Sequence, residues 1–210
     1  MKSHWRKILS MLPSKIERNF YSNFFKKEHE LWEKNGKKLP VSNYSKHLAL
    51  INLQKKYDLK TLIETGTYLG DTLFALALNF EALHSIELSD FYYQKAKLRF
   101  SNNNKIQLLN GDSGQVLKEL VPKLKSPALF WLDGHYSGGL TAKGELECPV
   151  YEELNSIFSS PFKHVIVIDD ARLFNGTNDY PQIDKLKLFI EEKMPEYKFS
   201  LANDSIILEP

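Results

Sequence analysis

Three aspartates stand at two matching places in the chain. Asp133 follows the apolar run Ala128–Leu132, and Asp169 and Asp170 follow the run His164–Ile168. If both runs are parallel strands of one sheet, their ends share an edge and Asp133 faces Asp169 and Asp170. Carboxylates that converge on one point repel one another unless a cation lies between them. Oxygen-only ligation favours Mg²⁺ or a similar hard ion. Such an ion binds an acceptor hydroxyl and lowers its pKa. The other reading has Asp133 touching a substrate directly and Asp169-Asp170 capping the next helix. His135, two residues past Asp133, is the candidate general base, because its intrinsic pKa suits proton transfer near neutrality. The alternative is a histidine that holds its loop by a hydrogen bond. The run Tyr136–Gly144 is small and polar, suited to a loop over a site.

A second set of residues lies upstream. Glu64-Thr65-Gly66-Thr67-Tyr68-Leu69-Gly70 ends an apolar run and leads into a helix-like segment. Gly66 and Gly70 bracket a tight turn where backbone can approach a ligand closely. The spacing is G-x-x-x-G, without the middle glycine of a dinucleotide fingerprint, which weakens a pyrophosphate reading. Glu64 stands where its carboxylate can meet a cationic amino group. Glu87, 21 residues past Gly66, can accept both hydroxyl hydrogens of a ribose. Asp112 and Ser113, after the next run, can reach an adenine edge. For Asp112, helix capping is an alternative that coexists with binding.

The elements that must position these residues alternate. Apolar runs at 61–64, 83–86, 105–109, 128–132 and 164–168 are separated by helix-like segments at about 71–80, 90–100, 113–121 and 149–158. Strand–helix alternation implies a parallel sheet covered on both faces. A further helix, about 180–193, precedes Tyr197–Leu201 and Ser205–Leu208, which read as a closing antiparallel hairpin.

The front of the chain differs. The 210 residues carry a net charge of only +2, yet residues 1–60 are net +9 and residues 61–210 net −7. Residues 1–35 read as a basic amphipathic helix interrupted at Pro13 and stopped at Asn35-Gly36; 37–40 is a linker, and a second helix runs from Ser42 to about Tyr57. The expected organisation is an arm over 1–40 and a catalytic domain over 41–210. Two fates are open to the arm. It packs on the body or on a second copy of the chain, as a homodimer; or it lies on an anionic membrane surface, with Trp5, Phe20, Phe24 and Phe25 inserted. Nucleic-acid binding is not expected, since the motif-bearing body is acidic and phosphate would repel it. No apolar run approaches a membrane span, and Ser10, Pro13, Ser14, Lys15 and Glu17 break any signal-peptide core, so the expected location is cytoplasmic, including the inner membrane face. The single cysteine, Cys148, excludes an internal disulfide framework and reads as packing. Arg172 reads as a substrate contact or a salt bridge to the local acids.

Over about residues 42–210 the chain resembles the class I S-adenosylmethionine-dependent methyltransferases. The resemblance rests on Glu64–Gly70, Ser85-Ile86-Glu87, Gly111-Asp112-Ser113 and the terminal hairpin. It implies an α/β, Rossmann-like, seven-stranded and mostly parallel sheet with helices on both faces. It also implies that Gly66, Thr67, Tyr68 and Gly70 hold the methionine part of the cofactor, Glu87 the ribose, and Asp112 with Ser113 the adenine. The E-x-G-x-x-x-G form is similar to the metal-dependent O-methyltransferases of the catechol, caffeoyl-CoA and macrocin types. There an Asp after strand four and an Asp pair after strand five hold Mg²⁺; Asp133, Asp169 and Asp170 match those places. The expected activity is methyl transfer to a hydroxyl of a small polar acceptor, a sugar or glycan intermediate included. The alternatives are a protein that binds the cofactor without turnover, and a nicotinamide-dependent oxidoreductase.

Overall fold

The computed structural model describes residues 14–134 and 148–210, with side chains from residue 22 onward. Helix α1 (Ser14–Lys34) ends at Gly36, whose φ of +78° stops the helix where the Asn-Gly pair predicts. Helix α2 (Asn43–Lys56) is capped by Ser42, whose hydroxyl accepts from the Ser45 amide. There follow β1 (Thr61–Thr65), α3 (Asp71–Leu76), β2 (Ala82–Glu87), α4 (Asp90–Arg99), β3 (Ile106–Asn110), α5 (Ser113–Leu120), β4 (Leu129–Leu132), α6 (Val150–Phe158), β5 (Val165–Ile168), α7 (Ile183–Lys193), β6 (Lys198–Ala202) and β7 (Ser205–Glu209).

The seven strands form one sheet in the order β3-β2-β1-β4-β5-β7-β6. The first five run parallel; β7 pairs antiparallel with β5 and β6. The period of two explains both cores. Ile63, Phe130, Leu132, Ile166 and Ile168 point to one face and meet Leu117, Leu154, Leu186 and Ile190 of α5, α6 and α7. Their strand neighbours Leu62, Leu129, Trp131, Val165 and Val167 point to the other face. There they meet Leu50 and Leu53 of α2, Leu73 and Leu76 of α3, and Ala96 of α4. Strands buried on both faces read as unbroken apolar runs, which is why β4 and β5 stand out in the sequence.

The hairpin turn is Asn203-Asp204, with φ of +52° and +58°. Two residues in that conformation match the strand twist, as in a type I′ turn. The turn also serves the site. The Asp204 carbonyl accepts from the Ala171 amide at 2.7 Å, and its carboxylate accepts from the Arg172 amide at 3.0 Å. The hairpin tip thereby clamps the chain just after Asp169-Asp170.

Candidate functional site

Strand β1 lies between β2 and β4, the switch point at which an open α/β sheet leaves a crevice at its carboxyl edge. The chain turns sharply there. Gly66 has φ +86°, and its amide donates to the Ile86 carbonyl at 2.9 Å. A Cβ at Gly66 would stand 2.8 Å from the carbonyl carbon of Asp133 and closer still to its oxygen, so only glycine fits. Gly70 caps α3 in the left-handed region, where a Cβ would come within 2.5 Å of the Phe100 ring.

The acids expected at this edge are brought together. Both carboxylate oxygens of Glu87 accept backbone amides, from Tyr68 at 2.7 Å and Ser89 at 2.8 Å. The carboxylate is thus fixed at the end of β2 and joins that strand to the glycine turn. Tyr68 stacks at a tilt on Tyr92, 4.7 Å between centroids. Glu64 is fully buried; its Oε2 accepts from the Ser85 hydroxyl at 2.6 Å, and Ser85 in turn contacts Thr67 Oγ1 at 2.6 Å. Burial pushes the Glu64 carboxyl up to about 8, against the opposing pull of the Ser85 and Thr72 hydroxyls. Asp112 is the N-cap of α5, accepting from the Gln115 amide at 3.2 Å, so the capping reading is met. Ser113 is buried as the first residue of that helix.

Asp133, Asp169 and Asp170 also line one cavity, of about 360 Å³, on the other side of the β1 end. The expected Mg²⁺ site is not seen in their arrangement. No group of three or more His, Cys, Asp or Glu side chains among the described residues is placed to hold a metal ion. A cation is already there: Lys46 of α2 donates to Asp169 Oδ2 at 2.5 Å and to Asp170 Oδ1 at 3.3 Å. An ammonium in that position occupies the room a dication would need about 2.1 Å from the same oxygens, and the two would repel. The residues as placed do not fit a resident metal.

The charges follow from this arrangement. Burial works against the Lys46 charge, but Asp169, Asp170 and Asp133 outweigh it and raise its pKa. Burial lifts Asp133 well above the usual carboxylate range, with repulsion from Asp169 adding to it and Lys46 opposing. Asp169 is raised by burial and only partly relieved by Lys46. Burial also acts to raise Asp170, yet Lys46 and Arg172 overcome it and its pKa falls. The capping alternative for this pair is not met either, since the Asp170 side chain makes no cap hydrogen bond to the 3₁₀ turn Ala171–Leu173. Arg172 donates to Asp170 at 2.8 Å and also pairs with Asp204, so it binds the local acids.

Two side chains here escaped the reading of the sequence. Lys46 lies one helical turn before the buried Leu50, on the apolar stripe of α2, and a lysine on such a stripe was the available signal. Glu153 of α6 is fully buried beside Ser113 and Thr65, and burial pushes its carboxyl up to about 7. It follows Glu152 at a helix start, where acids are ordinary, and nothing local marks it. His135 and the Tyr136–Gly144 loop lie outside the described residues, as do Trp5 and the side chain of Phe20. Cys148 is buried and its thiol is pushed up to about 12, as a packing residue requires.

The arm reaches the cavity. Phe25 is 4% exposed, against Tyr44 of α2 and Phe74 of α3, and makes an edge contact with His47. His29 bonds the Ser42 hydroxyl at 2.9 Å, and the Trp32 indole donates to the Lys38 carbonyl at 2.6 Å. Glu28 and Trp32 thereby line the cavity together with Trp131. Of the arm's expected membrane-facing aromatics, Phe25 is spent on the body and Phe24 is 37% exposed.

No protein-family model and no curated protein sequence matches the chain. Solved structures do. TomG, an O-methyltransferase from Streptomyces achromogenes in complex with S-adenosylmethionine, superposes with a TM-score of 0.57 at 15% identity, over 88% of each chain. The S-adenosylhomocysteine-bound methyltransferase PaMTH1 from Podospora anserina gives 0.56 at 17% identity, over 85% of each chain. An O-methyltransferase from Bacillus cereus in complex with S-adenosylhomocysteine gives 0.55 at 13% identity, over 89% of this chain and 90% of the other. The seven-stranded, mostly parallel fold is therefore shared with these proteins.

Proposed function

We propose, on the premise of this shared fold, that the chain is an S-adenosylmethionine-dependent O-methyltransferase acting on a hydroxyl of a small polar acceptor, a sugar or glycan intermediate among them. The observation that carries the reading is the buried Glu64 carboxylate beneath a glycine turn that admits no side chain. A carboxyl raised to about 8 calls for a cation, and the α-ammonium of the cofactor is one. The residues fit the group: Glu64 and Gly66 to Gly70 would hold its amino-acid end, Glu87 its ribose, and Asp112 with Ser113 its adenine. When bound, the cofactor supplies a sulfonium methyl that passes to the acceptor oxygen as the C–S bond breaks and its electron pair returns to sulfur, the hydroxyl proton leaving to a base.

The chain's own residues divide the remaining tasks. Glu87, held at the end of β2 by two backbone amides, would accept the ribose hydroxyls. Asp133 lies at the end of β4, between the glycine turn and the acceptor cavity, with its amide bonded to the Thr65 carbonyl at 3.1 Å. His135 is the candidate base, two residues on. The cavity suits a polar acceptor. Trp32 and Trp131 offer apolar walls for a ring, and the buried Trp131 Nε1 and Glu28 Oε2 have no hydrogen-bond partner among the described residues. The arm closes this cavity as a cover.

Titration of the chain with S-adenosylhomocysteine tests the reading. Binding is expected, and it should be lost in the double variant Glu87→Ala, Asp112→Ala. No binding, or binding at full strength in the double variant, would sink the cofactor assignment. Binding without methyl transfer to any of a panel of sugar and phenolic hydroxyl acceptors would leave a cofactor-binding protein in place of an enzyme.

A further inference from the structure

We infer that Lys46 is the resident cation of the acceptor site, its ammonium standing between Asp169 and Asp170 and pointing its remaining hydrogen at the acceptor oxygen. The inference rests on the methyltransferase reading for the identity of that oxygen. It rests on the geometry for everything else.

An ammonium carries three hydrogens. Two are engaged, at 2.5 Å by Asp169 and at 3.3 Å by Asp170, and no third acceptor is found among the described residues. The side chain is 10% exposed, and Lys46 lines the acceptor cavity. Its position is imposed by the helix that carries it. Ser42 caps α2 and Leu50 buries it against the sheet, so Lys46, one turn from each, faces the carboxyl edge. The far side is held as firmly: Asp169 is 2% exposed, and Asp170 is braced by Arg172, itself tied to Asp204 of the hairpin.

A cation so placed does what a metal does electrostatically without exchanging with solvent. It stabilises negative charge growing on the acceptor oxygen as the proton leaves, and it orients that oxygen with a directional hydrogen bond. The acids around it fit this role. Asp133, Asp169 and Asp170 hold the ammonium charged, and the fixed ammonium removes the need for an outside ion to relieve their repulsion.

The test uses the full chain and Mn²⁺ as probe, read by electron paramagnetic resonance, which needs no activity. The wild-type chain should bind no Mn²⁺ at this site, and chelation should leave S-adenosylhomocysteine affinity and turnover unchanged. Lys46→Ala takes the ammonium away from Asp169 and Asp170. The same variant should lose about 100-fold in kcat while keeping its cofactor affinity, with partial recovery in Lys46→Arg. Stoichiometric Mn²⁺ binding by the wild-type chain that Asp169→Asn abolishes would overturn the inference. So would a folded Lys46→Ala chain that binds cofactor and turns over at the wild-type rate. If Lys46→Ala does not fold, nitrogen-detected NMR of ¹⁵N-lysine wild-type chain decides. A slowly exchanging Lys46 ammonium unmoved by Mg²⁺ supports the inference, and one that Mg²⁺ shifts or releases overturns it. Failure of cofactor binding in the wild-type chain would strike the methyltransferase reading alone, because the Mn²⁺ and NMR readouts do not depend on it.

Discussion

Glu64 should make cofactor binding release a proton. The carboxyl is fully buried, and its pKa rises from 4.5 to about 8, so it is protonated in the free chain at pH 7. At about 1.4 kcal/mol per pH unit, that displacement amounts to about 5 kcal/mol of cost for the buried charge, an upper figure since the interior can relax. An ammonium brought against the carboxyl would offset much of this cost and pull the pKa back below neutrality. Binding of S-adenosylhomocysteine should then release up to one proton, and its affinity should rise with pH between the bound-state pKa and about 8, by at most about tenfold per pH unit. Calorimetry in phosphate and in Tris reads the proton directly, because the two buffers differ in ionisation enthalpy. Glu64→Gln should abolish the release and flatten the pH dependence. The free chain carries the same signature in its stability. The folded pKa lies above the unfolded one, so the unfolded state gives up its proton first and stability falls as pH climbs from 4.5 towards 8. Identical binding enthalpies in both buffers, with an affinity indifferent to pH, would refute the ion pair.

Other outcomes are equally open to measurement. Gly66→Ala should cost more than about 3 kcal/mol in urea unfolding, because the new methyl meets the Asp133 carbonyl in a backbone region that disfavours side chains. Asp112→Ser should keep the α5 cap, and so hold stability within about 1 kcal/mol, while weakening cofactor binding; equal affinity would leave Asp112 a cap and nothing more. Glu153, with its pKa raised from 4.5 to about 7, should make Glu153→Gln more stable than wild type by up to about 3 kcal/mol above pH 7 and by little below pH 4.5, as thermal melts across pH would show. Phe25→Ala should free the arm from Tyr44 and Phe74, so that limited proteolysis cuts within Ser14–Lys34 before the body unfolds.

The order of elements was legible because each carries a local signal. Two-sided burial makes β4 and β5 unbroken apolar runs, Ser42 and Asp112 are cap residues by chemistry, and Asn203-Asp204 is a turn pair by its tolerance of positive φ. The crevice residues Glu64, Gly66 and Glu87 were legible for the same reason: a strand end followed by a glycine turn places them without knowledge of the rest. The partner of the aspartates was not. Lys46 is 123 residues from Asp169 in the chain, and only the docking of α2 onto the β1–β4–β5 edge brings them to 2.5 Å. The burial of Glu153 depends likewise on how α6 packs against α5 and the end of β1. Sequence by itself determined a seven-stranded α/β frame and the acids along its carboxyl edge, because strand periodicity, caps and turns are properties of neighbouring residues. Tertiary structure alone decided which cation those acids meet, because charges pair by distance in space: a lysine on the apolar stripe of α2 marks its own burial but not which acids, 123 residues away, it will meet.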